Sequence, residues 1–147
     1  TYNIIPEEVI LKGTVRSFKK EIQEQAREAV ERVAAGIGTS FGVTVDVGYT
    51  YGYPATVNDV AESDFAVHVA ADVVGPDNVF TDLAPKMGAE DFSFMLNEKP
   101  GCYIWIGNGS GEGGCYLHNP NYDFNDEALA IGASYWARLV EKRLEKQ

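Results

Sequence analysis

The stretch KKEIQEQAREAVERVAAGI at residues 19–37 repeats apolar residues at intervals of three and four. A helix completes one turn every 3.6 residues, so these positions form one apolar stripe. The stripe consists of Ile22, Ala26, Ala29, Val33 and Ile37. We predict an amphipathic helix over residues 19–36, with Ser17 as its N-cap and Gly36 and Gly38 at its end.

The segments on either side of this helix have a different period. Residues 9–18 (VILKGTVRSF) and 41–51 (FGVTVDVGYTY) alternate roughly between apolar and polar side chains. An alternation of two is typical of a half-buried β-strand. The order strand, helix, strand predicts a small α+β layer.

A boundary is predicted at Gly52-Tyr53-Pro54, because proline biases the preceding residue away from helix. The charge balance also changes there. Residues 1–53 contain 6 basic and 7 acidic side chains, and residues 54–147 contain 6 and 15. We therefore expect two parts, residues 1–53 and residues 54–147.

The second part is predicted to mix helices with one buried strand. Helical periodicity covers residues 58–74, with Asn58 or Thr56 as the cap, and residues 126–145. A shorter helix is expected over 89–98 and a strand over 102–107, followed by a glycine-rich loop over 107–114. Together the two parts predict an α/β (α+β) protein.

Composition excludes several classes of function. The net charge of −10 argues against a nucleic-acid partner, because such binding needs basic side chains to neutralise phosphates. No apolar run approaches the roughly 20 residues of a membrane span, and no signal peptide opens the chain. Two cysteines, Cys102 and Cys115, leave one disulfide open, and a reducing compartment fits equally well. We expect a cytoplasmic protein.

The two histidines differ in their surroundings. His68 falls within a predicted helix near its apolar stripe, where a histidine is usually packed or partly exposed. His118 follows the glycine-rich loop and precedes Asn119-Pro120. A histidine at such a junction is a candidate metal ligand or acid–base group, since loops often carry function.

This chain is not expected to form a metal site by itself. Cys115 and His118 have a C-x-x-H spacing, but the spacing of the cysteines and histidines matches no zinc-finger pattern. If His118 binds a metal, the other ligands are carboxylates or lie outside this sequence.

Three further positions are candidates for ligand binding. Gly88-Ala89-Glu90-Asp91 places two carboxylates before a predicted helix, where they either line a site or only offset the helix dipole. Arg16 carries a planar guanidinium suited to gripping a carboxylate, and Asn3 carries an amide that both donates and accepts. Each residue taken alone is more often an ordinary surface residue.

Taken in order, these motifs resemble the M20 metallopeptidase family, in particular its amidohydrolase branch of hippurate hydrolases and N-acyl-L-amino-acid amidohydrolases. The resemblance covers essentially the whole chain. The matching segments are Asn3-Ile4-Ile5-Pro6-Glu7, Gly13-Thr14-Val15-Arg16-Ser17-Phe18, Gly52-Tyr53-Pro54-Ala55-Thr56 with Asn58, Met87-Gly88-Ala89-Glu90-Asp91-Phe92-Ser93, Pro100-Gly101, Ile106-Gly107, and Leu117-His118-Asn119-Pro120 with Tyr122-Asp123-Phe124-Asn125-Asp126-Glu127.

The resemblance implies a catalytic α/β domain with an inserted lid or dimerisation domain. Residues 1–53 would be the later part of the lid, and residues 54–147 the C-terminal part of the catalytic domain. His118 matches the family's last metal ligand, and Asn3 and Arg16 match lid residues that hold the substrate carboxylate. The loop containing Gly88, Ala89 and Glu90 matches one near the substrate pocket.

The implied reaction is metal-assisted hydrolysis of the amide bond of N-acyl amino acids or small peptides, with zinc or manganese, or else cobalt or nickel. The family's other metal ligands and its general-base glutamate have no counterpart here. We therefore expect this stretch to be inactive alone, to be found without metal, and to self-associate, as a homodimer for example. The alternative is a non-catalytic dimerisation or ligand-binding module derived from the family.

Overall fold

The computed structural model describes residues 2–109 and 116–144 of the chain. Its helices are α1 (Lys20–Phe41), α2 (Val60–Val74), a 3₁₀ turn (Pro76–Asn78), α3 (Phe92–Glu98) and α4 (Glu127–Arg143). The chain divides into two units, residues 1–55 and 56–147, which are described separately. The predicted boundary after Tyr53 lies two residues before this division, while the identity of the parts as lid and catalytic domain stays a prediction.

Helix α1 is longer than predicted at its C-terminal end. It continues through Gly36 and Gly38, because a glycine inside a helix costs only about 1 kcal/mol. The helix ends at Gly42, whose left-handed backbone (φ 67°) lets its N–H bond to the Gly38 carbonyl. At the other end the N-cap position is Lys19, and Ser17 instead donates to the Lys19 carbonyl. The predicted serine cap is therefore wrong.

The chain crosses back over α1 at Gly38, which is buried. The Val43 N–H donates to the Gly38 carbonyl at 3.0 Å. A Cβ atom added to Gly38 would lie 2.9 Å from the Val43 carbonyl oxygen and 3.0 Å from Val45 Cγ2. Only a residue without a side chain allows this close approach.

The same returning segment is tied to the N-terminal half of α1. Tyr51 donates its hydroxyl to Glu24 at 2.8 Å, and Arg27 contacts Glu24 at 3.1 Å and Glu31 at 2.8 Å. The Tyr51 hydrogen bond, and then Arg27, lower the pKa of Glu24. Residues 43–51 are thus fixed to α1 at both ends.

Helices α2 and α4 pack together and form the core of the second unit. Val69 and Ala66 of α2 are buried, as are Ala128 and Tyr135 of α4. Burial of such apolar side chains contributes roughly 1.5–3 kcal/mol for a residue the size of Val69.

Ion pairs border this helix pair. Asp72 of α2 contacts Lys142 at 2.5 Å and Arg138 at 3.5 Å. Arg143 pairs with Glu62, and its guanidinium lies 4.3 Å from the centre of the Phe65 ring.

The strand predictions are wrong. Among residues 2–109 and 116–144, none lies in a strand or sheet, and so the α/β (α+β) class and the strand–helix–strand lid are not found. An alternating sequence specifies two faces, but a strand also needs a neighbour to complete its hydrogen bonds. Phe41 is the last residue of α1, and residues 9–18, 42–51 and 102–107 have no such neighbour and lie in no helix or strand.

The large apolar side chains of α4 are divided between a buried and an exposed face. Leu129, Trp136 and Val140 are exposed, whereas Ala128 and Tyr135 are buried. Sequence periodicity identifies a stripe but not the partner that covers it. No helix in the described part of the chain is both long and apolar enough to span a membrane.

Candidate functional site

The loop that precedes α3 is held by Ser93, which is completely buried. Ser93 Oγ donates to the Glu90 carbonyl at 2.5 Å, and the Ser93 N–H reaches the same oxygen at 3.3 Å. Asp91 occupies the N-cap position without making a side-chain cap. The loop therefore has a fixed backbone, and Asp91 does not serve as a capping side chain.

Tyr103 packs beside the residue that opens α3. Its ring lies against the ring of Phe92, with 5.7 Å between the ring centres. Burial, and then the Glu90 carboxylate, raise the pKa of Tyr103. Tyr103, for which no role was predicted from the sequence, thus lies next to the helix that follows the predicted substrate loop.

Asn58 holds the backbone of Tyr103 from the start of α2. Its Nδ2 donates to the Tyr103 carbonyl and its Oδ1 accepts from the Tyr103 N–H, both at 2.9 Å. The Asp59 N–H also donates to the Gly101 carbonyl at 3.0 Å. The cap of α2 is Asp59, whose carboxylate accepts from Glu62 N–H. Neither Asn58 nor Thr56 fills the cap position predicted for them.

His118 is exposed and lies in a tight turn, with the Asn119 N–H bonded to the Tyr116 carbonyl at 3.2 Å. Its φ of 69° makes it the one non-glycine residue with positive φ in the described ranges. Histidine is among the residues that tolerate this region best, but the conformation is still uncommon. Its side chain makes no hydrogen bond or ion pair to any described residue.

The segment that follows His118 is fixed by Asn108. Asn108 Nδ2 donates to the Asp123 carbonyl at 2.8 Å, and its Oδ1 accepts from the Asn125 N–H at 2.7 Å. Asn125 Oδ1 in turn accepts from the Glu127 N–H at 3.1 Å, at the start of α4. Asn125 thus caps the start of α4 through its side chain, although Asp126 occupies the N-cap position.

His68 lies on an exposed face of α2, with Nδ1 2.8 Å from the carbonyl oxygen of Asp64. A contact between residues four apart on one helix is local. His68 therefore behaves as an ordinary helix residue.

The residues that the structure describes contain no group of three or more His, Cys, Asp or Glu side chains able to hold a metal ion. They do not by themselves fit the metal that the sequence resemblance implies. Cys115 and its predicted alternatives, a disulfide with Cys102 or a C-x-x-H pair with His118, lie outside the described residues. Cys102 is half-buried, and its Sγ lies 3.4 Å from Asn58 Nδ2.

The other predicted binding residues are distributed over both units. Asn3 and Arg16 are exposed and belong to residues 1–55. Gly88, Ala89 and Glu90 belong to residues 56–147, as does His118, with open space around the Gly88 Cα.

A surface depression of about 300 Å³ lies beside the N-terminus of α2, and none of the predicted site residues lines it. It is lined by Asn58, its neighbours Val57 and Asp59, and residues 96–101. The candidate site is thus defined by hydrogen bonds and not by a deep cavity among the described residues.

Three residues that organise these loops were not predicted from the sequence to do so: Asn58, Tyr103 and Asn108. The only indication was position, because Tyr103 and Asn108 flank an apolar segment. Partners 45 and 15 residues away leave no local pattern in a sequence.

Comparison with known proteins identifies relatives along nearly the whole chain. Hippurate hydrolase of Campylobacter jejuni is 33% identical over 98% of this chain and 37% of its own length. N-acetylcysteine deacetylase of Bacillus subtilis is 32% identical over 99% of this chain and 37% of its own length. N-acetyldiaminopimelate deacetylase of Lacticaseibacillus casei is 31% identical over 97% of this chain and 36% of its own length.

The chain thus spans somewhat more than a third of the length of these relatives. No solved structure matches it significantly. The sequence pattern of peptidase family M20/M25/M40 matches residues 5–142. This match, in agreement with the ordered motifs, shows that the chain belongs to peptidase family M20/M25/M40.

Proposed function

We propose that this chain is part of a metal-dependent amidohydrolase that cleaves the amide bond of N-acyl amino acids or small peptides. The observation that carries the proposal is the family match over residues 5–142, together with relatives named as a hippurate hydrolase and two deacetylases of acetylated amino acids. All three names describe removal of an acyl group from an amino-acid nitrogen.

His118 is proposed as one ligand of the metal. Its imidazole is exposed and uncommitted to any described residue, so a ring nitrogen is free to coordinate. The positive φ supports the proposal, because strained backbone at non-glycine residues is concentrated at functional sites. The remaining ligands would come from outside the described residues. Imidazole suits zinc or nickel, whereas manganese would be held chiefly by oxygen ligands. We propose zinc or manganese, or else cobalt or nickel.

Recognition of the substrate is proposed for two groups of residues. Arg16 and Asn3 would hold the free carboxylate, since guanidinium makes two parallel hydrogen bonds to a carboxylate and an amide donates another. Gly88, Ala89 and Glu90 would line the pocket. The open space around Gly88 and the fixed backbone of Glu90 support this role.

The test compares His118→Ala with His68→Ala in the complete protein that carries these residues. Metal content is measured by elemental analysis, and hydrolysis is followed with N-acetyl and N-benzoyl amino acids. We expect His118→Ala to lower metal content and to reduce hydrolysis at least about 100-fold, because even groups that only support a ligand cost 10–100-fold. His68→Ala should change neither. Unchanged metal content and activity in His118→Ala would refute the assignment.

A second candidate is a non-catalytic dimerisation module. It is favoured by the exposed apolar side chains of α1, among them Val33, Ile37 and Phe41. Exposed apolar surface of this kind often marks an interface between proteins. Light scattering of the purified chain tests the dimerisation module. If the chain self-associates and Ile37→Glu abolishes the association, dimerisation through α1 is supported. Hydrolysis by this chain alone would contradict our expectation that it is inactive by itself.

A further inference from the structure

Helix α4 has two apolar faces, and the described residues cover only one of them. The covered face contains the buried Ala128 and Tyr135 and belongs to the core that α4 forms with α2. The second face is exposed, and its residues recur at intervals of three and four along α4 and into the residue that follows the helix. We call it the outer face; its members are Leu129, Ala133, Trp136, Val140 and Leu144.

The outer face presents large apolar side chains to water. The exposed fractions are 61% for Leu129, 63% for Trp136 and 51% for Val140. Residues three and four apart on a helix are neighbours, so these side chains form one continuous strip. Continuous exposed apolar surface on a soluble protein marks a place where something else packs.

No charged residue lies on the outer face. At 3.6 residues per turn its five members fall within an arc of about 80°, and Ala130 and Ala137 extend that arc with further small apolar side chains. The charged side chains that pair with Asp72 and Glu62 of α2 lie outside the arc; they are Arg138, Lys142 and Arg143. A helix face that stays in water normally carries charged or polar residues, so the outer face has the composition of a buried surface.

The lengths of the relatives indicate what covers the outer face. Hippurate hydrolase of Campylobacter jejuni aligns with 98% of this chain, and N-acetylcysteine deacetylase of Bacillus subtilis aligns with 99%. The alignment accounts for only 37% of either relative. The family match over residues 5–142 includes almost all of α4. In a protein of the relatives' size, the greater part of the polypeptide is therefore available to pack on this helix.

We infer that the outer face of α4 is an internal interface of the complete protein, covered by an apolar surface of polypeptide that these 147 residues do not include. Helix α4 is then buried on two sides, by α2 and by that additional surface. The inference concerns the assembly of the complete protein, and it does not depend on the proposed hydrolysis.

The test measures access to the outer face through two neighbouring cysteine substitutions in the complete protein. Ala133→Cys lies on the outer face and Ser134→Cys on the polar side of the same turn, and both positions are exposed in this structure. The native cysteines are replaced by alanine, so that a maleimide reports only the introduced thiol. Ala133→Cys should react at least about tenfold more slowly than Ser134→Cys, because a buried thiol is inert. Equal rates would overturn the inference.

Dilution of the complete protein separates this occupant from a second copy of the chain. A surface of the same polypeptide stays in place at any concentration, so the protection of Ala133→Cys should not change when the protein is diluted. Protection that disappears on dilution would assign the outer face to a second copy and would contradict the inference.

A second measurement uses the stability of the complete protein. Trp136→Ala should lower the unfolding temperature by at least about 5 °C, because truncation of a covered tryptophan leaves a cavity. The control is Glu141→Ala, an exposed position on the charged side of α4, which should change that temperature by no more than about 2 °C. A Trp136→Ala protein that unfolds at the same temperature as Glu141→Ala would show that the outer face remains in water.

Discussion

Asn58 and Tyr103 are joined by a reciprocal pair of hydrogen bonds, one donated and one accepted by the Asn58 amide, each 2.9 Å long. A primary amide offers the same donor and acceptor as a peptide group. Asn58 therefore satisfies both backbone groups of a residue 45 positions away, and it joins the start of α2 to the segment that contains Tyr103.

Changing Asn58 to Asp should destabilise the second unit. Aspartate keeps the acceptor for the Tyr103 N–H but replaces the donor with an oxygen facing the Tyr103 carbonyl. We expect a loss of about 0.5–1.5 kcal/mol in the free energy of unfolding, the net value of one hydrogen bond, because Asn58 is exposed to water. Urea denaturation measures it. Asn97→Asp is the same chemical change at an exposed position of α3, and it should change the free energy of unfolding by no more than about 0.5 kcal/mol. Equal losses in both variants would argue against the pairing of Asn58 with Tyr103.

Gly38 and Gly36 should respond in opposite directions to alanine. In Gly38→Ala the new methyl meets the Val43 carbonyl at 2.9 Å, so overpacking should cost about 1–3 kcal/mol. In Gly36→Ala nothing lies within 4 Å, and alanine should stabilise α1 by roughly 0.5–1 kcal/mol. Thermal denaturation followed by circular dichroism compares the two. A Gly38→Ala protein as stable as Gly36→Ala would show that residues 43–45 do not cross α1 there.

The Asp72 ion pairs predict loss of stability in acid. The hydrogen bond from Lys142 is the largest cause that lowers the pKa of Asp72 in the folded chain. A carboxylate with a lowered folded pKa stabilises the fold above its unfolded pKa, and this contribution disappears as pH falls through the folded pKa. The effect is small because the group is partly exposed.

Asp72→Asn should therefore flatten the dependence of stability on pH below about pH 5. The measurement is the midpoint of urea unfolding at a series of pH values. Asp82→Asn, at an exposed position away from this ion-pair group, serves as the control. If Asp72→Asn and the unmodified chain show the same acid profile, the pairs with Lys142 and Arg138 do not persist in solution.

Arg16→Lys tests the proposed grip on the substrate carboxylate. Lysine keeps the charge but cannot form two parallel bonds, so KM for an N-acyl amino acid should rise by roughly tenfold or more. For a substrate whose carboxylate is converted to an amide, the KM of Arg16→Lys should equal that of the unmodified protein. The matched control is Arg32→Lys, the same substitution at a position on α1. A rise in KM that is equal for both substrates would contradict carboxylate recognition by Arg16.

Asn108→Ala tests whether the segment after His118 must be fixed for metal binding. The change removes the bonds to Asp123 and Asn125, and by the proposed function it should weaken metal binding roughly 10- to 100-fold, as loss of a supporting group does. Metal affinity is measured by competition with a chelator. Asn121→Ala removes no side-chain bond of this kind and should bind metal normally; an Asn108→Ala protein with full affinity would disprove the supporting role.

The helices were predictable because their causes are local. The spacing of Ile22, Val33 and Ile37 predicts α1, and the periodicity of residues 58–74 predicts α2. Helix ends were less predictable, since Gly36 and Gly38 are tolerated inside α1 and the left-handed backbone of Gly42 ends it. The roles of His118, Arg16 and Glu90 remain predictions from the sequence.

The sequence by itself determined the family, through motifs in order over residues 5–142, and the positions of the helices, through apolar spacing. Only the tertiary structure decided that Gly38 lies beneath residues 43–45, that Asn58 holds Tyr103, and that the Tyr103 ring packs against Phe92. The reason is physical. A helix satisfies its hydrogen bonds among residues four apart, whereas these contacts join residues that no helical repeat relates. A strand requires a partner that no alternating pattern supplies.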